Sequence, residues 1–336
     1  MLIDYNVKAA VELANGLAPN LSQVHIVEEQ TGGRLDPEEP VGPVLQTFFQ
    51  TRKDEHILHG GNLQHLSLNA VSLDYFKDWQ KHDAFLRIRV LQLWDVSESV
   101  LTEAVSCQFP LLKSLALSFP GWDSYDEAAS AFVSSLPPLE SIRLSSSQKE
   151  HTFQAALRYH GKSLTMLSLV PLGSDIYDVV PSFTNWITQI QLHCLNIRDL
   201  QLSVHRRTLK EEGSLFRTIG GIPHLTNLSL RLICGNEIEE RDSFLNSLDY
   251  PASDPELSRA MLRNSALHSG LLAQAIFYTV AQESYLQRLT LGIRCTLYPK
   301  RVAGFPNWCC CRWRCLRTSG NKTIVRELEK DEDCKD

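Results

Sequence analysis

The chain has 336 residues, of which 43% are hydrophobic, and its formal net charge at pH 7 is -6. This composition is ordinary for a packed globular protein, and the acidic balance argues against a general attraction to nucleic acid. No apolar run approaches the roughly 18 to 20 residues of a membrane-spanning helix, and the first residues lack the pattern of a signal peptide. The nine cysteines are an odd number, which favours reduced thiols in the cytoplasm or nucleus over a disulfide framework.

The chain opens with an apolar stripe at helical spacing, formed by Val7, Ala10, Val11, Ala14 and Leu17. A helix that comes first implies that the strand belonging before it is absent, together with any terminal cap. The sequence therefore suggests a truncated chain or a shortened gene model, whose first helix leaves part of its apolar stripe uncovered.

A six-residue phrase with apolar residues at its first, fourth and sixth places then returns nine times. Its copies are LSQVHI from Leu21, LQHLSL from Leu63, IRVLQL from Ile88, LKSLAL from Leu112, LESIRL from Leu139, LTMLSL from Leu164, IRDLQL from Ile197, LTNLSL from Leu225 and LQRLTL from Leu286. The alternation inside each phrase predicts a short, half-buried strand. Successive phrases start 42, 25, 24, 27, 25, 33, 28 and 61 residues apart, so the chain is predicted to be a repeat solenoid.

Apolar stripes at helical spacing lie between the phrases. They are Val100, Leu101, Ala104 and Val105; then Ala128, Ala129, Phe132, Val133 and Leu136; then Phe153, Ala156, Leu157 and His160, with Gly161 as a candidate helix C-cap. A strand with one apolar face and a helix with one apolar stripe cannot bury themselves alone. Stacking the repeats predicts a parallel sheet covered on its back by helices, with right-handed connections.

The phrases resemble leucine-rich repeats, specifically the longer strand–helix type of ribonuclease-inhibitor-like horseshoes, from about Val7 to Leu291. This resemblance implies an α/β solenoid with a parallel sheet on its concave face and helices on its convex face. The asparagine or cysteine that follows the phrase in that family is usually missing here. The degenerate repeats, the acidic insertions and the Cys-rich ending also resemble the C-terminal repeat regions of filamentous-fungal F-box proteins, although no recognisable F-box is present.

The predicted solenoid covers residues 1–300, with insertions at 28–43 and 235–256. Both insertions are rich in acidic residues, and a long amphipathic stretch from Leu257 to Val280 follows the second one. The first insertion is interpreted as an exposed loop, and the second as a solvated insertion followed by an enlarged repeat helix. The alternative for the second is a docking arm for a basic partner, because solenoid insertions often cluster on the binding side.

Residues 301–328 are predicted to form a C-terminal hairpin or cap, and residues 329–336 an acidic tail. The stretch contains the cluster Cys309, Cys310, Cys311 and Cys315. Zinc ligands usually come as two separated pairs, and palmitoylation normally accompanies a second membrane signal; the sequence has neither. Alternation on both sides of Ser319-Gly320-Asn321 instead favours a hairpin that covers the open end of the sheet.

No catalytic, cofactor-binding or metal-ligating set emerges from the sequence. The glycine pairs match no phosphate-loop pattern, and no serine lies in a GxSxG elbow. His56, His59 and His65 are close in sequence, but His65 belongs to a predicted strand and the other two precede it. An enzyme with a cryptic site stays open as an alternative, because catalytic triads assemble from distant positions.

Binding to a protein partner is the function that the repeat register favours. The third, fifth and seventh phrase positions are predicted to project from the concave face. The candidate partner-binding residues are Trp94, Gln92, Arg143, Arg231, His65, Gln201 and Arg288. Trp94 is the predicted anchor, since aromatic and arginine side chains dominate binding surfaces; its alternative is packing against Phe119 and Trp122.

By resemblance, the predicted module is the substrate-recognition part of an F-box-like protein, with a protein partner on the concave face. A cullin-ligase adaptor is a partner only if an F-box lies upstream. Nucleic acid and membrane are not predicted partners. Three alternatives remain: a non-ligase scaffold or regulator, a fragment without function, and the enzyme with a cryptic site.

Overall fold

The computed structural model describes residues 20–27, 62–70, 73, 76–77, 84–119, 123–145, 150–169, 183–205, 209–234, 270–282, 284–296, 308–318 and 322–328. The predicted N-terminal helix, both acidic insertions and the acidic tail lie outside these residues. The chain divides into two compact units. Unit 1 comprises Met1–Ile142 and Lys149–Ala156, and unit 2 comprises Arg143–Gln148 and Leu157–Asp336.

The fold is α/β, and the described residues form eleven strands that follow chain order in a mostly parallel sheet. Their bounds are β1 Gln23–Val27, β2 His65–Asn69, β3 Val90–Trp94, β4 Ser114–Leu117, β5 Ser141–Leu144, β6 Met166–Leu169, β7 Asp199–His205, β8 Asn227–Cys234, β9 Arg288–Thr296, β10 Trp308–Arg317 and β11 Thr323–Leu328. Each of the first nine strands begins at the third position of a phrase. All nine predicted strands are therefore confirmed.

Helices lie between successive strands from β3 to β9. They are α1 Glu98–Ala104, α2 Asp123–Ser135, α3 Glu150–Ala155, α4 Phe183–His193, α5 Leu209–Gly220 and α6 at residues 270–281, with a π-helical turn Ala156–His160 after α3 and a 3-10 turn Ala84–Arg87 before β3. In these described ranges, no helix has both the length and the apolar character needed to cross a bilayer.

For one member of the predicted helical stripes, the expected burial is wrong. Val100, Leu101 and Ala104 are fully buried on α1, but Val105 is 38% exposed. The helix ends at Ala104, and Val105 is its C-cap residue, beyond the last turn that packs against the core.

The core of unit 1 lies along the inner side of its strands. Leu66, Leu91 and Leu115 are register partners in successive strands and have no exposed surface. A column of buried phenylalanine rings runs through the same unit, with centroid separations of 5.2, 5.0 and 6.0 Å between successive rings. Its members are Phe76, Phe85, Phe109 and Phe132. Close aromatic packing of this kind adds to the free energy gained by burying the rings.

Unit 2 repeats the same arrangement. Leu167, Leu200, Leu228 and Leu289 are aligned as register partners across β6 to β9, and none is more than 2% exposed. The sixth phrase positions form a second buried row beside them; in this unit it consists of Leu169, Leu202, Leu230 and Leu291. The apolar fourth and sixth phrase positions are therefore buried, as the predicted alternation of a half-buried strand requires.

Consecutive repeats are also joined by one recurring backbone contact. The carbonyl at the second phrase position accepts two hydrogen bonds from neighbouring N–H groups of the next repeat. In unit 1, Gln64 O accepts from Arg89 N at 2.8 Å and Val90 N at 2.9 Å, and in unit 2 Thr165 O accepts from Arg198 N and Asp199 N at 2.8 and 3.0 Å. Because only backbone groups take part, this link does not depend on which side chain occupies the position.

The last two strands run antiparallel. β10 pairs with β9 on one side and with β11 on the other, so the strands predicted on both sides of Ser319-Gly320-Asn321 are present. The three turn residues lie outside the described part of the chain. The hairpin thus adds two strands beside β9.

Gly161 follows the π-helical turn, but it does not close the helix through a left-handed backbone, because its φ lies outside that region. A β-carbon here would lie 2.7 Å from the carbonyl oxygen of His193 and would also collide with the carbonyl oxygen of Leu157. The glycine is therefore needed for a close approach of α4, and not for the C-cap conformation that the sequence suggests.

Candidate partner-binding surface on the outward sheet face

The strands separate a buried face from an outward face. In β3, Leu91 and Leu93 are fully buried, whereas Val90, Gln92 and Trp94 are partly exposed. The alternation arises because successive strand side chains point to opposite sides of a sheet. The outward face is defined here as the third, fifth and seventh phrase positions, together with the residues of β10 and β11 that share this side.

Trp94 lies at the end of β3, beside its register partner Asn69. Among the described residues no aromatic ring stacks on Trp94, and Phe119 instead stacks on Tyr125 with ring centroids 6.4 Å apart. Trp122, the other neighbour considered in the sequence, lies outside the described residues. The indole is thus partly exposed and is not packed against the ring of Phe119.

Two histidines lie beside Gln92 on the outward face of unit 1. The rings of His25 and His65 meet edge to face, with centroids 5.0 Å apart. Burial lowers the pKa of His65 below its usual value, nearby His25 lowers it further, and a hydrogen bond with the Gln92 side chain raises it. Nε2 of His65 is buried without a hydrogen-bond partner in the described part of the chain. His65 lies opposite Val90 at the start of β3, whereas Trp94 is at the other end of that strand.

In unit 2, polar side chains of neighbouring strands are joined across the outward face. Ser168 Oγ donates to Gln201 Oε1 at 3.1 Å, and Asn227 Nδ2 donates to Asp199 Oδ1. These bonds fix the orientation of Gln201 and leave its amide nitrogen without a partner among the described residues. A fixed amide of this kind is suited to donate to a carbonyl or carboxylate group of a ligand.

Arginines mark the end of the outward face in unit 2. Arg231 of β8 and Arg288 of β9 were predicted from the phrase positions. The strand register adds Arg312 and Arg314 of β10 and Arg326 of β11, because residues directly opposite one another in a sheet share a face. Gly292 lies between Arg231 and Arg312, while Thr290, Arg314 and Arg326 are successive partners.

Sequence reasoning missed these three arginines. The alternation of residues 308–318 and 322–328 puts Arg312 and Arg314 on one side of a predicted hairpin, and this was the available signal. The register of β10 against β9 is not encoded by the repeat, so the sequence did not show which face of the sheet they join.

The predicted site residues fall into two groups. Trp94, Gln92 and His65 belong to unit 1, and Gln201, Arg231 and Arg288 to unit 2. Arg143 also belongs to unit 2 and is exposed on β5. Within the described residues, no three His, Cys, Asp or Glu side chains come together in a group able to hold a metal ion.

Comparison of the chain with protein-family models and with curated proteins gives no match. The structure itself defines the class: an α/β protein of strand–helix repeats with a mostly parallel sheet.

Proposed function

We propose that the chain is a leucine-rich-repeat module that binds a protein partner on the outward, concave face of its sheet. The observation that carries the proposal is the contrast between the two sides of the strands. In unit 1 one side holds fully buried leucine rows, whereas the other presents partly exposed Trp94, Gln92 and His65. An aromatic anchor surrounded by polar groups is the usual composition of a binding surface.

The favoured biological form is the substrate-recognition part of an F-box-like protein. Support for it comes from the degenerate repeats, the acidic insertions and the Cys-rich ending, which resemble the repeat regions of such proteins in fungi. A ligase role would also require an F-box upstream, through which a cullin-ligase adaptor would bind. The module would then act in the cytoplasm or nucleus. A scaffold or regulator that uses the same surface is the second candidate.

Affinity capture with mass spectrometry tests the proposal. The wild-type chain should recover a main partner, Trp94→Ala should lose it, and the melting temperature of that variant should stay close to the wild-type value. Tyr278→Ala is the matched control, because Tyr278 is a 49% exposed aromatic on α6. Recovery of a cullin adaptor favours the ligase form, and recovery of a stable partner without it favours the scaffold.

Two results would contradict the proposal. A large fall in melting temperature for Trp94→Ala would make the indole a core element. Binding that survives Trp94→Ala but disappears when residues 237–256 are deleted would move the contact surface to the acidic insertion.

A further inference from the structure

Five arginines of unit 2 share the outward side of the last four strands. These residues form the arginine face and are Arg231, Arg288, Arg312, Arg314 and Arg326. We propose that it binds an acidic peptide segment of a partner protein that also carries an apolar residue. This proposal rests on the proposed protein-binding function and specifies the chemistry of the partner. The arginine face does not include Trp94.

The arginines are close enough to act on one ligand. Arg314 and Arg326 are directly opposite in an antiparallel pair, which puts their β-carbons about 5 Å apart. Arg312 and Arg314 are alternate residues of one strand, about 6.8 Å apart, and Arg231 lies two strands from Arg312, about 10 Å away. A single extended segment can therefore reach several of these guanidinium groups.

The pairing of Arg314 with Arg326 is electrostatically unfavourable without an anion. Like charges directly opposite one another destabilise a strand pair. Among the described residues no carboxylate forms an ion pair with Arg288, Arg314 or Arg326, and the Nε atom of Arg314 is buried without a hydrogen-bond partner. Glu327 is paired with Trp313 on the opposite side of the sheet, so it does not neutralise the arginine face.

Packing on the other side of the hairpin holds the arginine face in place. The Trp313 ring lies against Gly270 of α6, where a β-carbon would come within 3.1 Å of it, and Cys315 is fully buried. Arg317 donates to the carbonyl of Ala281 at 3.4 Å and lies 5.8 Å over the Phe277 ring. Arg317 thus serves the packing, whereas Arg314 and Arg326 have no such partner in the part of the chain that the structure describes.

An exposed apolar pair adjoins the charges and selects the kind of ligand. Leu316 and Ile324 are register partners next to the Arg314–Arg326 pair, and they are 37% and 53% exposed. Carboxylates at alternate positions of an extended peptide repeat about every 6.8 Å, which matches the spacing of Arg312 and Arg314. Guanidinium groups bind carboxylates bidentately, and an apolar residue of the peptide would cover the Leu316–Ile324 pair.

Fluorescence anisotropy tests the proposal with a short labelled peptide that has glutamate at alternate positions and one leucine. The full chain should bind it, and a peptide with glutamine in place of glutamate should not compete. The double variant Arg314→Gln/Arg326→Gln should bind roughly tenfold more weakly or worse, since two charge-assisted contacts are lost. The variant Arg158→Gln/Arg217→Gln removes the same charge from exposed helical positions of unit 2 and should bind as the wild type does.

Each other outcome overturns the proposal. If the Arg314/Arg326 double variant binds as tightly as the wild type, the arginine face is not the binding site. If the glutamine peptide binds as tightly as the glutamate peptide, the carboxylates are not the groups that are recognised. Tighter binding of single-stranded DNA of matching length makes the surface a nucleic-acid site. Binding that appears only after residues 329–336 are removed makes the chain's own tail the occupant. Trp94→Ala should leave peptide binding unchanged, so failure here is distinguishable from failure of partner capture through Trp94.

Discussion

Replacing Asp126 by alanine should lower the free energy of unfolding by about 2 to 3 kcal/mol. Asp126 lies on α2, is 5% exposed, and accepts hydrogen bonds from the first turn of α3. Its carboxylate oxygens lie 3.0 Å from His151 N, 2.9 Å from Thr152 N and 2.6 Å from Thr152 Oγ1. Asp126 of α2 therefore caps the N-terminus of α3, as an N-cap residue of α3 itself would do.

The magnitude follows from these contacts. Loss of an N-cap acceptor costs about 0.5 to 2 kcal/mol, and a lost hydrogen bond to a charged group about 1.5 to 3 kcal/mol. The two terms overlap, and the Thr152 hydroxyl keeps a second acceptor, the Asp126 carbonyl at 3.2 Å. The expected loss is for this reason below the sum of the two.

Urea unfolding followed by circular dichroism measures the effect. Asp126→Asn keeps one carboxamide oxygen as acceptor and should lose about half as much free energy, while Glu127→Ala, at an exposed position of the same helix, should change it by less than about 0.5 kcal/mol. A double-mutant cycle with Thr152→Val isolates the pair. A change below about 0.5 kcal/mol for Asp126→Ala would refute the inference that this carboxylate anchors α3.

Four further predictions follow from the same coordinates. Leu167→Ala should cost about 2 to 5 kcal/mol in urea unfolding, because it empties a fully buried site, and a cost under about 1 kcal/mol would contradict the leucine rows. Ala70 has φ 55°, so Ala70→Gly should stabilise by about 1 kcal/mol, whereas Ala116→Gly in β4 should destabilise. Burial raises the pKa of the Cys194 thiol to about 12, so peptide mapping should find it alkylated at mildly alkaline pH only after unfolding. The pKa of His65 is lowered by burial and then by His25, so as the pH falls the unfolded chain binds the proton before the folded chain does. The contribution of His65 to the free energy of unfolding is therefore complete above about pH 6.5 and decreases below it. His65→Gln should reduce this pH dependence in urea titrations.

The strands and their buried faces could be predicted because a local pattern determines them. Alternation inside a phrase fixes which side chains share a side, and the start of each strand at its third position needs no long-range information. The apolar residue at the fourth position, such as Leu91 or Leu200, is buried in each strand for the same reason. The functional candidates Trp94, Gln92 and Arg231 followed from this register.

Contacts between repeats could not be predicted in the same way. Gly161 looks like a C-cap residue in sequence, but the carbonyl of His193 is what excludes a side chain there. The bonds from Asp126 to Thr152 join adjacent helices, and nothing in the spacing of the phrases encodes them. Likewise, the register of β10 on β9 decides which face Arg314 joins.

One competing explanation of the arginine face is protection of a sheet edge. Charged side chains on edge strands oppose pairing with other chains, and β11 is last in the strand order, so Arg326 alone would fit this role. Arg314 does not fit it, because β10 pairs on both sides, with β9 and β11. Edge protection also gives no reason to set Arg314 directly opposite Arg326, since like charges in that position weaken the strand pair that they would protect. A bound anion removes this conflict, and this favours a ligand over edge protection as the reason for the cluster.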